Sequence, residues 1–195
     1  MAVRQPRVRV EAPRRPPWQS RYHGVRMTPE QYLALPEEKP YLEYVDGMVV
    51  QKPMPNAEHG GLVAFLAIEL GLHARRVGAK LRVETRARFG ALQSFRVPDL
   101  SYWAPGRPSG DDSLPTLAVE VRSPGQTAAE LRAKCRFFRR NGVDACWLVD
   151  PETRTVEVLE GGQDAAVLAE PATLTSAHLP GFALPLRELF AVLES

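Results

Sequence analysis

Apolar and polar positions run along this chain in two rhythms. Between Ala57 and Val77, Leu62, Phe65, Leu66, Leu70 and His73 recur at helical spacing, which predicts one long amphipathic helix with a first turn weakened by Gly60-Gly61. A second helix is expected over about 127 to 140, where Leu131, Cys135 and Phe138 form the buried stripe and Asn141-Gly142 provides the stop. "TPEQYLALP" predicts a short helix to about Leu35: Thr28 can cap it, Pro29 suits its first position and Gln31 completes a capping box. The tail is expected to hold weak strands and a last short helix near Leu186 to Leu193. Elsewhere the period is two, or the run is continuously apolar. "YLEYVDGMVVQ" predicts a hairpin around Asp46-Gly47. Strands are expected over 80 to 89, 95 to 103 and 116 to 123, and again in "DACWLVDP" and "TRTVEVLEG". This order gives a mixed α/β sheet with helices on its faces, with no internal repeat and no second domain.

Two acids interrupt the strand pattern. In 116 to 122, Leu117, Val119 and Val121 face one way and Ala118, Glu120 and Arg122 the other. Asp99, in "RVPDLSYW", stands 21 residues earlier on a strand that could lie alongside. An unpaired buried charge costs several kcal/mol, and two carboxylates at close range need a proton or a cation between them. Hard oxygen ligands suit Mg²⁺ or Mn²⁺. The alternative is a pair of salt bridges to Arg96 and Arg122. Lys134 falls at the edge of the buried stripe of its helix, which directs an ammonium toward the sheet; an ordinary surface pair with Glu130, four residues earlier, is the competing reading.

Composition narrows the class. A chain of 195 residues suits one domain, expected over 27 to 195, preceded by a Pro/Arg-rich arm over 1 to 26. That arm holds Arg4, Arg7, Arg9, Arg14, Arg15, Arg21 and Arg26 against Glu11, a local charge of +6 in a chain of net +2. It reads either as a solvated tail or as an arm for nucleic-acid phosphates. Arg82, Arg86 and Arg88 share one face if 80 to 89 is a single strand, compatible with phosphate contact or with a solvated face. No apolar run approaches the ~20 residues that span a bilayer, so the expected location is the cytoplasm. Cys135 and Cys146 read as reduced core residues.

"LEYVDGMVV", the His59 that opens the long helix, "RVPDLSYW", "LAVEVRSPG", the Glu130 to Lys134 spacing and "GVDACWLVDP" stand in the order and approximate spacing of the Uma2 family. The chain resembles this bacterial family over about residues 28 to 160. The resemblance implies a restriction-endonuclease-like fold with the PD-(D/E)xK nuclease core. In it Asp99 and Glu120 are the metal-binding acids and Glu43 an additional acid near the site. The usual lysine position is Arg122 here, a poor proton acceptor; the resemblance makes Lys134 its replacement and His59 a recurrent histidine.

The expected function is therefore Mg²⁺- or Mn²⁺-dependent hydrolysis of DNA, with a nucleic-acid-binding or assembly module lacking chemistry as the alternative. A small-molecule hydrolase ranks last, since no G-x-S-x-G, H-E-x-x-H or P-loop occurs. Many nucleases of this fold act as dimers, and Trp18, Trp103 and Phe182 are expected as exposed apolar residues that could cover a homodimer interface.

Overall fold

The computed structural model describes residues 16–90, 94–110, 113–162 and 165–194. In chain order, α1 (Pro29–Leu33) is followed by the hairpin β1 (Leu42–Val45) and β2 (Met48–Gln51), then by α2 (Ala57–Val77). Next come β3 (Lys80–Val83), β4 (Ala87–Phe89), β5 (Ser94–Arg96), β6 (Leu100–Trp103) and β7 (Leu117–Val121). After α3 (Ala128–Arg140) come β8 (Ala145–Asp150), β9 (Thr155–Glu160), β10 (Ala166–Ala169), β11 (Thr173–Leu174), β12 (Leu184–Pro185) and α4 (Leu186–Ala191), with a closing 3₁₀ turn over Val192–Glu194.

The strands form a central six-stranded sheet, ordered β10-β9-β8-β7-β6-β3, and a smaller one, ordered β2-β1-β5-β4. β7 and β8 run parallel with α3 as their connection, whereas β6 pairs antiparallel with β7. The fold is thus a mixed α/β sheet flanked by helices. Both faces of β7 and β8 are covered, which is why every residue of these strands is buried and β8 reads as an unbroken apolar run. Leu117, Val119 and Val121 pack with Leu62, Leu66 and Leu70 of α2, while Ala118 joins Leu131, Cys135 and Phe138 of α3. Each fully buried leucine among these contributes about 1.5–3 kcal/mol relative to exposure. Cys135 and Cys146 are free thiols in the α3 cluster, and burial pushes the Cys146 thiol pKa up.

Two expected strands are each divided between the sheets. The run 80 to 89 splits into β3 and β4, and 95 to 103 splits into β5 and β6. Pro98 supplies the physical reason in the second case, because it has no N–H for a ladder. In the first, Glu84 takes a positive φ of 47° and its N–H donates to the Asp99 carbonyl at 3.0 Å. The two crossings therefore face one another. Arg82, Arg86 and Arg88 consequently do not lie on one strand: Arg82 lies over the Trp103 ring, and Arg86 and Arg88 approach Phe95 of the small sheet.

Trp103 and Phe182 are buried, contrary to the exposed placement expected for them; Trp103 fills β6 and Phe182 packs against Trp147. Trp18 is exposed. Arg4, Arg7, Arg9, Arg14 and Arg15 lie outside the described residues. The later part of the arm runs beside β2: Gly24 N–H donates to the Val49 carbonyl, Val49 N–H to that of Val25, and Ser20 N–H to the Gln51 side chain. No helix among the described residues is long and apolar enough to cross a membrane.

Candidate active site

The division of the strands brings both sheets and two helices to one cavity of about 430 Å³. Glu120 enters from β7, Glu43 from β1, Asp99 from the crossing between the sheets, and Lys134 from α3. Lys52, just beyond β2, and His59, in the first turn of α2, complete the wall. Local sequence sets each position. Asp46 and Gly47 both take positive φ, 50° and 82°, as a two-residue hairpin turn requires, and this pairs Glu43 with Val50. Asn56 caps α2 by accepting the His59 N–H at 2.9 Å, which fixes the ring at the cavity. On α3, Thr127 and Glu130 form a capping box, so the Glu130 carboxylate serves the helix end and Lys134 is left to the site.

The site has two halves. In one, Lys134 Nζ stands between two carboxylates, 2.8 Å from Glu43 Oε1 and 2.9 Å from Glu120 Oε1. Its aligned hydrogen bond goes to Glu120 Oε2 at 3.1 Å, so Glu120 Oε1 is buried without a hydrogen-bond donor. Glu43 also accepts the Val97 N–H at 2.8 Å and has Arg96 Nη1 at 3.7 Å. In the other half, Asp99 Oδ1 accepts from Lys52 Nζ at 2.6 Å, while Oδ2 takes the Val121 N–H at 2.8 Å and lies 3.3 Å from His59 Nε2.

These contacts divide the acids electrostatically. Burial opposes ionisation of all three carboxyls. At Asp99 it is overridden by the Lys52 ammonium and by His59, which hold the group well below the usual carboxylate range. Glu43 is likewise lowered, burial being outweighed by Lys134 and Arg96. At Glu120 burial prevails over Lys134, with Asp99 adding repulsion, and its pKa is pushed up to about 7. Lys134 and Lys52 are both raised despite burial, Lys134 by Glu120 and Glu43, Lys52 chiefly by Asp99.

Asp99, Glu120, Glu43, Lys134 and His59 are thus all brought together. Arg122 is not: it pairs with Asp150, at 2.9 Å, and with Glu152, outside the cavity lining. The arginine salt bridges weighed for Asp99 and Glu120 do not form: Arg96 stands by Glu43 and Arg122 by Asp150 and Glu152, while Asp99 is met by Lys52 and His59 and Glu120 by Lys134. Sequence reasoning passed over Lys52. Its signal lay in the hairpin register, since a two-residue turn at Asp46-Gly47 pairs Glu43 with Val50 and puts residue 52 on the same face. Trp18, Gln19 and His23, assigned by charge to the arm, also line the cavity.

The acids fit a hard divalent cation by donor type, and Glu120 Oε1, 2.9 Å from the Lys134 ammonium, accepts no aligned hydrogen bond. Among the described residues, however, no three Asp, Glu, His or Cys side chains approach closely enough to hold a metal ion as they stand. The ammonium between Glu43 and Glu120, and the second on Asp99, account for that spacing.

No curated protein matches the chain. Among solved structures it is similar to "a putative nuclease belonging to DUF820" from Anabaena variabilis ATCC 29413, with a TM-score of 0.77 and 27% identity over 86% of this chain and 99% of the other. A DrdV–DNA complex aligns at a TM-score of 0.40 and 15% identity over 68% of this chain and 13% of the other, too remote to bear on function. The family model described as "Putative restriction endonuclease" matches residues 29–187, from the first helix to the last and across every acid of the cavity, and the chain belongs to this family, Uma2.

Proposed function

We propose that the chain is a divalent-metal-dependent endonuclease that hydrolyses DNA phosphodiester bonds. The observation that carries this reading is the meeting of Glu43, Asp99 and Glu120, all buried, in one cavity with an ammonium group shared between two of them. Membership of a nuclease-like family adds to it.

Asp99 and Glu120, with Glu43, are the groups to hold Mg²⁺ or Mn²⁺. When bound, such an ion supplies a Lewis acid that lowers the pKa of water and neutralises charge growing on the phosphate. The chain's own groups do the rest. The N–H groups of Val97 and Val121 fix the carboxylates of Glu43 and Asp99 from behind. Lys134 offers a fixed positive charge to the phosphate oxygens and stays protonated there, so it acts as an electrostatic stabiliser rather than as a base. His59, against Asp99 Oδ2, orients that carboxylate. Arg122 has no part in the chemistry because its guanidinium is committed to Asp150 and Glu152. Trp18, exposed at the cavity rim, is better placed for contact with a ligand than for a subunit interface. Arg82, Arg86 and Arg88 are secondary candidates for the DNA backbone.

The test is cleavage of supercoiled plasmid by the purified chain. Nicking or linearisation with Mg²⁺ or Mn²⁺ is expected, lost with a chelator and in Asp99→Ala and Glu120→Ala. Cleavage that persists in both variants overturns the assignment. One observation favours a second reading, a nucleic-acid-binding module without chemistry: Lys52, Lys134 and Arg96 already answer the three acids. Salt-dependent DNA binding with no cleavage under any divalent metal is its signature.

A further inference from the structure

The Lys52 ammonium is the least expected member of the site. It is almost fully buried, 2.6 Å from Asp99 Oδ1 and 3.8 Å from a second carboxylate oxygen, Oε1 of Glu84. It lines the main cavity and also a neighbouring one of about 380 Å³, which Glu84, Lys39, Tyr41 and Met54 line from the other side. Asp99 has few places for a further ligand. Its Oδ2 already has the Val121 N–H and His59, and Oδ1 has Lys52. Of these partners only Lys52 has a long flexible stem and another acid within reach. The backbone places that acid deliberately: Glu84 holds a positive φ, a strained conformation for a side-chain-bearing residue, and its N–H is tied to the carbonyl of Asp99 itself. Glu84 is partly exposed, so a cation arriving there is not buried afresh.

We propose that Lys52 is the resident counter-ion of Asp99, displaced toward Glu84 when a divalent cation takes the Asp99 carboxylate. Lys52 then competes with the metal for one ligand, and Glu84 lowers the cost of losing that competition. The displaced ammonium remains on the wall between the two cavities, where it meets an anionic backbone lying across both. The inference rests on the metal-binding reading above.

The experiment is titration of the full chain with Mn²⁺ alone, by calorimetry and by the electron paramagnetic resonance of free Mn²⁺, for the native protein, Lys52→Gln and Glu84→Gln. Removing the competitor is expected to tighten Mn²⁺ binding about tenfold or more in Lys52→Gln, since a neutral amide does not compensate Asp99. Removing the receiving acid is expected to weaken it severalfold in Glu84→Gln. A merely structural lysine gives the opposite sign, with Lys52→Gln binding less well. Glu84 is exposed enough for its variant to fold, so that arm decides the matter should Lys52→Gln fail to fold. Native binding with unchanged or weakened affinity in Lys52→Gln, and no change in Glu84→Gln, overturns the displacement alone. No Mn²⁺ bound by native chain or Lys52→Gln overturns the metal site, and the displacement with it.

Discussion

Asp99 Oδ2 accepts the backbone N–H of Val121 at 2.8 Å. The acid at the crossing between the sheets is thereby fixed to the strand that carries Glu120, one residue before Val121. Relative placement of the two carboxylates therefore depends on a main-chain contact, the kind of rigid support that a preorganised site uses.

Asp99→Asn keeps the volume and the Val121 contact but removes the charge opposite Lys52. Breaking this buried pair is expected to cost about 3–5 kcal/mol, measured by denaturant unfolding. Cleavage is expected to fall about a hundred- to a thousandfold, the scale of losing a principal electrostatic group.

Lys134→Met leaves Glu43 and Glu120 facing each other without their shared cation. The melting temperature is expected to drop, and millimolar Mn²⁺ to restore more of it than in the native chain, because a bound ion stabilises the folded state by mass action. Thermal melts with and without Mn²⁺ check this. Activity is expected to remain low even with the metal, since the charge facing the phosphate is gone.

Glu120 sets a pH window. An acid whose folded pKa is raised binds its proton more readily folded than unfolded. Its stabilising contribution is fully present below the ordinary value of 4.5 and is lost as pH climbs through about 7. Asp99 and Glu43, both lowered, lose their contribution only at lower pH, so among the three acids of the site the window from 4.5 to 7 belongs to Glu120. The metal-free stability of the native chain relative to Glu120→Gln is expected to decline across it, a difference that cancels the opposite contribution of His73, whose pKa burial lowers. Mn²⁺ affinity is expected to rise over the same window and level off above 7, with a proton released on binding, read by calorimetry in buffers of different ionisation enthalpy.

Arg122→Ala separates the lysine position of the family pattern from the ammonium proposed to act, that of Lys134. Cleavage is expected to stay within about threefold of native, while loss of the ion pair to Asp150 and the charged hydrogen bond to Glu152 costs about 1–3 kcal/mol by denaturant unfolding. A loss of activity comparable to that of Lys134→Met contradicts the replacement.

Much of this was legible from residue order. The 3.6 period of α2 and α3 and the unbroken apolar run of β8 report burial directly, so those elements fell where expected. Glu120 betrayed itself as a charge inside an apolar strand. What hid the rest was the change of sheet at Val97–Asp99 and at Glu84: alternation carries no mark of which sheet a residue joins, so 80 to 89 and 95 to 103 each read as one strand. Lys52 was hidden for a related reason. Its partner Asp99 lies 47 residues away, and only the hairpin register shows which way the lysine points.

The central claim is that Asp99 and Glu120 hold a divalent cation. Anomalous diffraction from crystals of the native chain grown with Mn²⁺ tests it most directly. The account expects a manganese peak in contact with both carboxylates and Lys134 still beside Glu120. No peak in the cavity at saturating Mn²⁺, with Lys52 still on Asp99 and Lys134 still between Glu43 and Glu120, contradicts it.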